Sequence, residues 1–276
     1  MADWINWFAE PLSFPFMQHA LLTALAVSTV CGILSCYLVL KGWSLMGDAI
    51  SHAVLPGIIL AFLSGIPLVV GAFFSGLACA LGIGYLKNNS RLKEDTVMGI
   101  VFSGMFAFGL VLFAKVETDQ HLTHILFGNL LGVSRTELLQ TAVICAIVLT
   151  AVLLKKRDLM LYCFDPVQTK IIGLHPKLLH YGLLVLLALT IVSAIQVAGV
   201  ILVIAMLIAP GITAALLTQS FNRMMLIVVC CSVFTALSGT VLSYHLDAAT
   251  GPVIILLQAM LFLLTLFYSK WKIHFS

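Results

Sequence analysis

"GDAISHAVLPG", Gly47 to Gly57, sets an aspartate and a histidine four residues apart inside an apolar segment. If residues 47–56 are helical, Asp48 and His52 stand at i and i+4 and turn to one face. The solvent around that helix decides the fold. The chain of 276 residues is 62% hydrophobic and 9% charged, with a mean hydropathy of +1.14. Soluble domains carry about 25% charged residues. A soluble surface this apolar would aggregate, so the solvent is lipid, and many apolar runs reach the roughly 20 residues that span a bilayer as a helix.

Working outward from that stretch, spans are expected at about Met17–Leu40, Ser44–Leu63, Pro67–Leu86, Thr96–Ala114 and Glu137–Leu154. The segment "HLTHILFGNLLGVS" between the fourth and fifth is too short to cross and reads as re-entrant. The longest polar stretch, "KKRDLMLYCFDPVQTKIIGLHPK", follows the fifth. The next apolar run, Leu178–Ile208, covers roughly 46 Å as one helix, against a hydrocarbon core of about 30 Å. It is therefore expected to form a full span to about Ile195, a turn near Gly199 and a short descending helix ending at Pro210. Spans at about Met224–Tyr244 and Pro252–Tyr268 complete nine crossings, with eight to ten inside the spread of boundaries. The chain reads as one all-α polytopic membrane domain over residues 1–276, with no soluble domain.

Lysine and arginine set the orientation. Lys41, Lys87, Arg91, Lys93, Lys155, Lys156, Arg157, Lys170, Lys177, Arg223, Lys270 and Lys272 fall on one side, which is the cytoplasm. Lys115 and Arg135 lie on the other, with Glu117 and Asp119 between them. The N-terminus is then outside and the C-terminus cytoplasmic. The opening "MADWINWFAEPLSFPF" has no basic n-region or cleavage site and reads as an aromatic interfacial collar. A net charge of +3 gives no sign of a nucleic-acid partner. Six of the seven cysteines fall in apolar runs and none forms a CxxC pair, so they read as small buried hydrophobes.

Ionisable residues within spans are candidate functional residues, because a charge at mid-membrane costs on the order of 2.5–3.5 kcal/mol even on insertion scales. Asp48 and His52 are the leading pair. A carboxylate and an imidazole on one face suit a divalent metal of borderline softness: manganese, iron or zinc. The same pair can instead lock two helices by a hydrogen bond. Pro56 and Gly57 weaken the helix just beyond the pair and free backbone carbonyls. His245 and Asp247, in "SYHLDAATGP", sit where the eighth span ends outside. They read as an outer gate or as an ordinary polar turn. His121 and His124 lie outside and either pre-attract cations or are solvated loop histidines. Gln196 and Gln258 are neutral residues that can bridge helices. Small residues in "GAFFSGLACALGIG" permit close helix packing. HExxH, GxSxG and GxxxxGK[ST] are absent, so a zinc protease, a serine hydrolase and an ATP-binding P-loop are unsupported.

The segments "LKGWSLMGDAISHAVLPG", "KEDTVMGIVFSGMFAFGLVL", "HILFGNLLGVS", "QVAGVILVIAMLIAPGITAALLT" and "SYHLDAATG", in that order, resemble the permease subunits of bacterial ABC importers for manganese, zinc and iron. The likeness runs from about Phe14 to Phe267 and is nearest to the manganese/iron branch. It implies the fold of metal-chelate and vitamin B12 importer permeases with fewer spans. It implies an inner-membrane subunit moving a divalent cation inward by alternating access, with no tightly bound cofactor. Implied partners are cytoplasmic ABC ATPases, a second permease (identical or a sister chain) and a periplasmic metal-binding protein. Asp48 and His52 match the family's "GDA-SHA-LPG" motif and are expected to hold the ion in transit. Asp247 matches the family's acid, whereas His245 stands where other members differ. The stretch from residue 210 to 223, with Thr218, Gln219, Ser220, Phe221 and Asn222, matches the segment that docks on the ATPase. Two rival readings stay open at this point: an ion-coupled carrier and an intramembrane enzyme using the Asp–His pair on a lipid.

Overall fold

Backbone amides have no water to bond in a bilayer, so a chain this apolar must satisfy them within helices. The computed structural model describes residues 10–115 and 130–274. In it the chain forms helices α1 (Pro15–Lys41), α2 (Met46–Ser64), α3 (Leu68–Asn89), α4 (Glu94–Phe113) and α5 (Arg135–Leu154). Two short helices follow, α6 (Lys156–Phe164) and α7 (Pro166–Ile171). Then come α8 (Pro176–Ala198), α9 (Val200–Leu217), α10 (Phe221–Leu246) and α11 (Thr250–His274). Among the described residues nine helices are long and apolar enough to cross a membrane: α1 to α5 and α8 to α11. The re-entrant expectation, with His121 and His124, lies outside the described residues except for a 3-10 turn at Leu130–Gly132.

The long apolar run divides at Gly199, as its length requires. Gly199 has φ 79 and ψ 162, a backbone region that only glycine occupies readily. The expected short helix ending at Pro210 is corrected: α9 continues through Pro210 to Leu217. Proline removes one rung of the hydrogen-bond ladder, the donor to the Met206 carbonyl, but need not end a helix that its neighbours hold. Here Gly211 lies against Ser35 of α1, where a β-carbon would come within 2.6 Å of the serine Oγ. The polar stretch after α5 is also more ordered than its composition implies. In α6, Leu159, Tyr162 and Cys163 are buried against α1 and α8, and Lys41 Nζ sits 4.0 Å over the Tyr162 ring. Asp165 caps α7, its Oδ1 accepting from the Val167 and Gln168 N–H groups at 2.8 and 3.0 Å.

Two packed groups result. In one, α2 lies between α3 and α4; in the other, α1 packs on α9 and α10, with α11 behind them; α8 touches both. Helices α1 and α2 are the most enclosed, and α4 and α5 the least. The α2–α3 contact is a backbone-to-backbone approach. A β-carbon on Gly57 would strike the Gly71 carbonyl, and one on Gly71 the Gly57 carbonyl. Ser75 Oγ donates to the Ala53 carbonyl across the same seam at 2.6 Å. Five cysteines are buried, Cys231 is half-buried and Cys230 is exposed. Burial in α6 pushes the Cys163 thiol up to about 12, against the pull of nearby Lys41, so it stays a neutral packing group.

Two alanine substitutions in α3 separate close packing from helix propensity. Gly71→Ala meets the α2 backbone and is expected to destabilise by about 1–3 kcal/mol. Gly82→Ala meets nothing within 4 Å and is expected to stabilise by roughly 0.5–1 kcal/mol. Thermal midpoints of the purified chain in lipid nanodiscs check both signs.

Candidate metal-transit site

The connection from α1 to α2 decides the depth of the Asp48–His52 pair. Gly42 ends α1 with φ 70, and the chain tucks Trp43 into the core before α2 begins at Met46. The first turn of α2 is level with the middle of α3, because Cys79 Sγ reaches the Ala49 carbonyl at 3.7 Å. Cys79 precedes Lys87 by eight residues of helix, which is about 12 Å of rise. Asp48 therefore lies well inside the membrane thickness although it is only the third residue of its helix. That position also helps its charge, since first-turn N–H groups and the positive end of the helix dipole favour a carboxylate.

One turn further on, His52 Nε2 lies 3.1 Å from Asp48 Oδ1. Two ligands at about 2.0–2.2 Å from one cation, at a right angle, sit about 3 Å apart. The pair is thus spaced as one edge of a metal coordination shell. The His52 ring is fixed by two phenylalanines of α4: Phe102 stacks at 6.0 Å and Phe106 meets it edge-on at 5.1 Å. Pro56 has no N–H to give to the His52 carbonyl, which leaves that oxygen free of its usual partner in the ladder. The phenylalanines recur at i and i+4 in "VFSGMFAF", but only the fold shows that they face His52.

The side chains of His52 and Asp48 remain 27% and 30% exposed. At this depth that opening cannot face acyl chains without a large penalty. The pair therefore calls for a cavity or a protein surface in front of it. Among the described residues, no group of three or more His, Cys, Asp or Glu side chains converges. The described residues therefore bring a single carboxylate and a single imidazole together at this place.

His245 and Asp247 belong elsewhere. They close α10, which packs on α1, α9 and α11, whereas α2 packs on α3, α4, α8 and α9. Asp247 is exposed and caps α10 in the left-handed region at φ 47, its N–H reaching the Ser243 and Tyr244 carbonyls. His245 meets the Tyr244 ring edge-on at 5.3 Å. Of the segment between α9 and α10, Gln219, Ser220 and Asn222 are exposed and Thr218 is half-buried. The Ser220 N–H donates to Thr218 Oγ1 at 3.2 Å. Phe221 points the other way, buried against Tyr37 of α1 at 5.3 Å.

Nine membrane-length helices among the described residues define a polytopic membrane protein. The chain belongs to the ABC 3 transport family, whose model matches residues 13–269. It is 66% identical over 269 residues to a "Probable iron transport system membrane protein" of Haemophilus influenzae, covering 98% of this chain and 99% of the relative. It is 49% identical over 261 residues to the "Manganese transport system membrane protein MntB" of Synechocystis, covering 95% and 85%. The solved structure "PsaBC from Streptococcus pneumoniae in complex with Fab" matches with a TM-score of 0.84 at 39% identity, covering 95% of both chains. Membership makes the chain a transport subunit and not an enzyme, and sets aside the carrier and intramembrane-enzyme readings.

The backbone at Asp247 can be tested apart from its charge. Asp247→Gly keeps the left-handed cap and is expected to leave the thermal midpoint nearly unchanged. Asp247→Val forces a branched side chain into that region and is expected to cost about 1–2 kcal/mol. Thermal unfolding of the two purified variants reads the difference.

Proposed function

We propose that this chain is the membrane permease of an ATP-driven importer in the bacterial inner membrane, and that Asp48 and His52 coordinate a divalent cation, manganese or iron with zinc in range, during its passage inward. The observation that carries this reading is the 3.1 Å Asp48–His52 pair, partly open at mid-membrane depth. The names of the iron and manganese relatives support the choice of cargo. The basic ends of α1, α3, α5 and α11, together with α6 and α7, share one side of a nine-span chain, which supports a cytoplasmic C-terminus.

The mechanism follows from the chemistry of two ligands. The cation leaves a periplasmic binding protein at the outer face, where Asp247 and His245 form the outer gate. At Asp48 and His52 one carboxylate and one imidazole replace part of its hydration shell. Water and groups of a second permease complete the rest. Incomplete coordination suits passage, since a fully closed shell would hold the ion. Affinity for such donors rises from manganese toward zinc in almost any geometry, so selection rests with the binding protein. The second permease, an identical or sister chain, covers the open side of the pair. Thr218, Gln219, Ser220 and Asn222 meet the cytoplasmic ATPase, whose nucleotide cycle opens the pair alternately to each side. Phe221 anchors that segment to α1.

Metal uptake in cells lacking their own manganese and iron importers tests this. The chain is expressed with its ATPase and binding protein, and variants are compared at matched membrane levels. Asp48→Ala and His52→Ala are each expected to lower uptake about tenfold or more, the effect of at least about 1.4 kcal/mol lost from the ion's passage, while assembly with the ATPase persists. Normal uptake by both variants would make the pair a structural lock.

A further inference from the structure

Gln258 lies near the middle of α11 and is 4% exposed, and neither its Nε2 nor its Oε1 has a hydrogen-bond partner. A buried amide left in that condition is costly. Its side chain lines a small half-open pocket of about 10 Å³ between α9, α10 and α11, together with Pro210, Thr213 and Thr235. That is room for one water molecule.

The chemistry of the walls fits that occupant. Thr213 Oγ1 donates its proton to the Ala209 carbonyl at 2.7 Å, and Thr235 Oγ1 donates to the Cys231 carbonyl at 3.0 Å. Both hydroxyl oxygens keep lone pairs free to accept. Pro210 has no N–H, so the Met206 carbonyl lacks its ladder donor one turn above. The lining itself offers the Thr213 and Thr235 hydroxyl oxygens and the Gln258 Oε1 as acceptors, and no carboxylate is present to offset the charge of a cation. A water donates two protons and accepts from the amide Nε2 or a thiol, which suits this set.

We infer that Gln258, Thr213 and Thr235 bind a single water beside Pro210, where the hydrogen-bond ladder of α9 lacks a donor, and that this hydrated node is the pivot about which the lower part of α9 moves. Below Pro210 only Gly211 to Leu217 separate the node from the exposed Thr218–Asn222 segment. A water can change partners as the helix bends, whereas direct side-chain bonds would fix one geometry. The water site stands independently of the importer reading; the pivot rests on that reading.

The first test is a structure of the assembled transporter at a resolution that shows ordered water. An oxygen within about 2.7–3.2 Å of the Gln258 amide and of a threonine hydroxyl is expected. A dry pocket, or a Gln258 amide bonded directly to protein groups, overturns the site. The second test is Gln258→Leu, which keeps the bulk and removes the amide. Metal uptake is expected to fall about fivefold or more, with ATP hydrolysis and assembly retained. Uptake within about twofold of the unaltered protein, with the water present in the latter, overturns the pivot. Uptake and hydrolysis lost together, with assembly intact, also overturn it, because the ATPase itself would then have stopped. Asp48 and His52 are untouched in this variant, so failure here is distinct from failure of the transit site.

Discussion

A carboxylate and an imidazole inside a bilayer are tolerable only if the protein supplies what water no longer does, and much of this structure follows from Asp48 and His52. The link from Gly42 to Leu45 lets α2 begin deep, so that Asp48 falls in a first turn where free N–H groups favour its charge. The Gly57–Gly71 approach draws α3 tightly onto α2. On another face Gly109 of α4 lies against Leu55 and Pro56, which brings Phe102 and Phe106 up to the His52 ring. Small residues thus set the distances and aromatic residues set the orientation of the imidazole.

Much of the scaffold is legible in the sequence because lipid imposes length and polarity on every span. Runs of apolar residues, basic ends and Gly199 locate the helices closely. Asp48 and His52 are legible as a pair since four residues make one helical turn. Pro210 misleads because proline usually ends a helix in water, while here Gly211 packed on Ser35 holds α9 together on both sides of the break. Residues 156 to 171 mislead through their polarity: the buried Leu159, Tyr162 and Cys163 become visible as one face only when α1 and α8 are present to receive them.

Depth and partners across the bundle leave no local trace. Asp48 stands at mid-membrane because Cys79 of a different helix meets the carbonyl of Ala49, a relation that no spacing within "GDAISHAVLPG" encodes. The same holds for Phe221, which belongs to an exposed segment by sequence and to the core by its contact with Tyr37. His245 and Asp247 look like a second pair by spacing, yet Asp247 serves first as a helix cap with a left-handed backbone.

On the proposed reading, coordination by one carboxylate and one imidazole would give a cation enough attraction to leave bulk water and too little to stay. In the proposed transit site the His52 nitrogen reaches the ion directly. Pulsed electron paramagnetic resonance of Mn²⁺ bound to the assembled transporter measures that bond through its nitrogen coupling. The account predicts imidazole modulation in the unaltered protein that disappears in His52→Ala. Modulation absent from the unaltered protein, or unchanged in the variant, would contradict it.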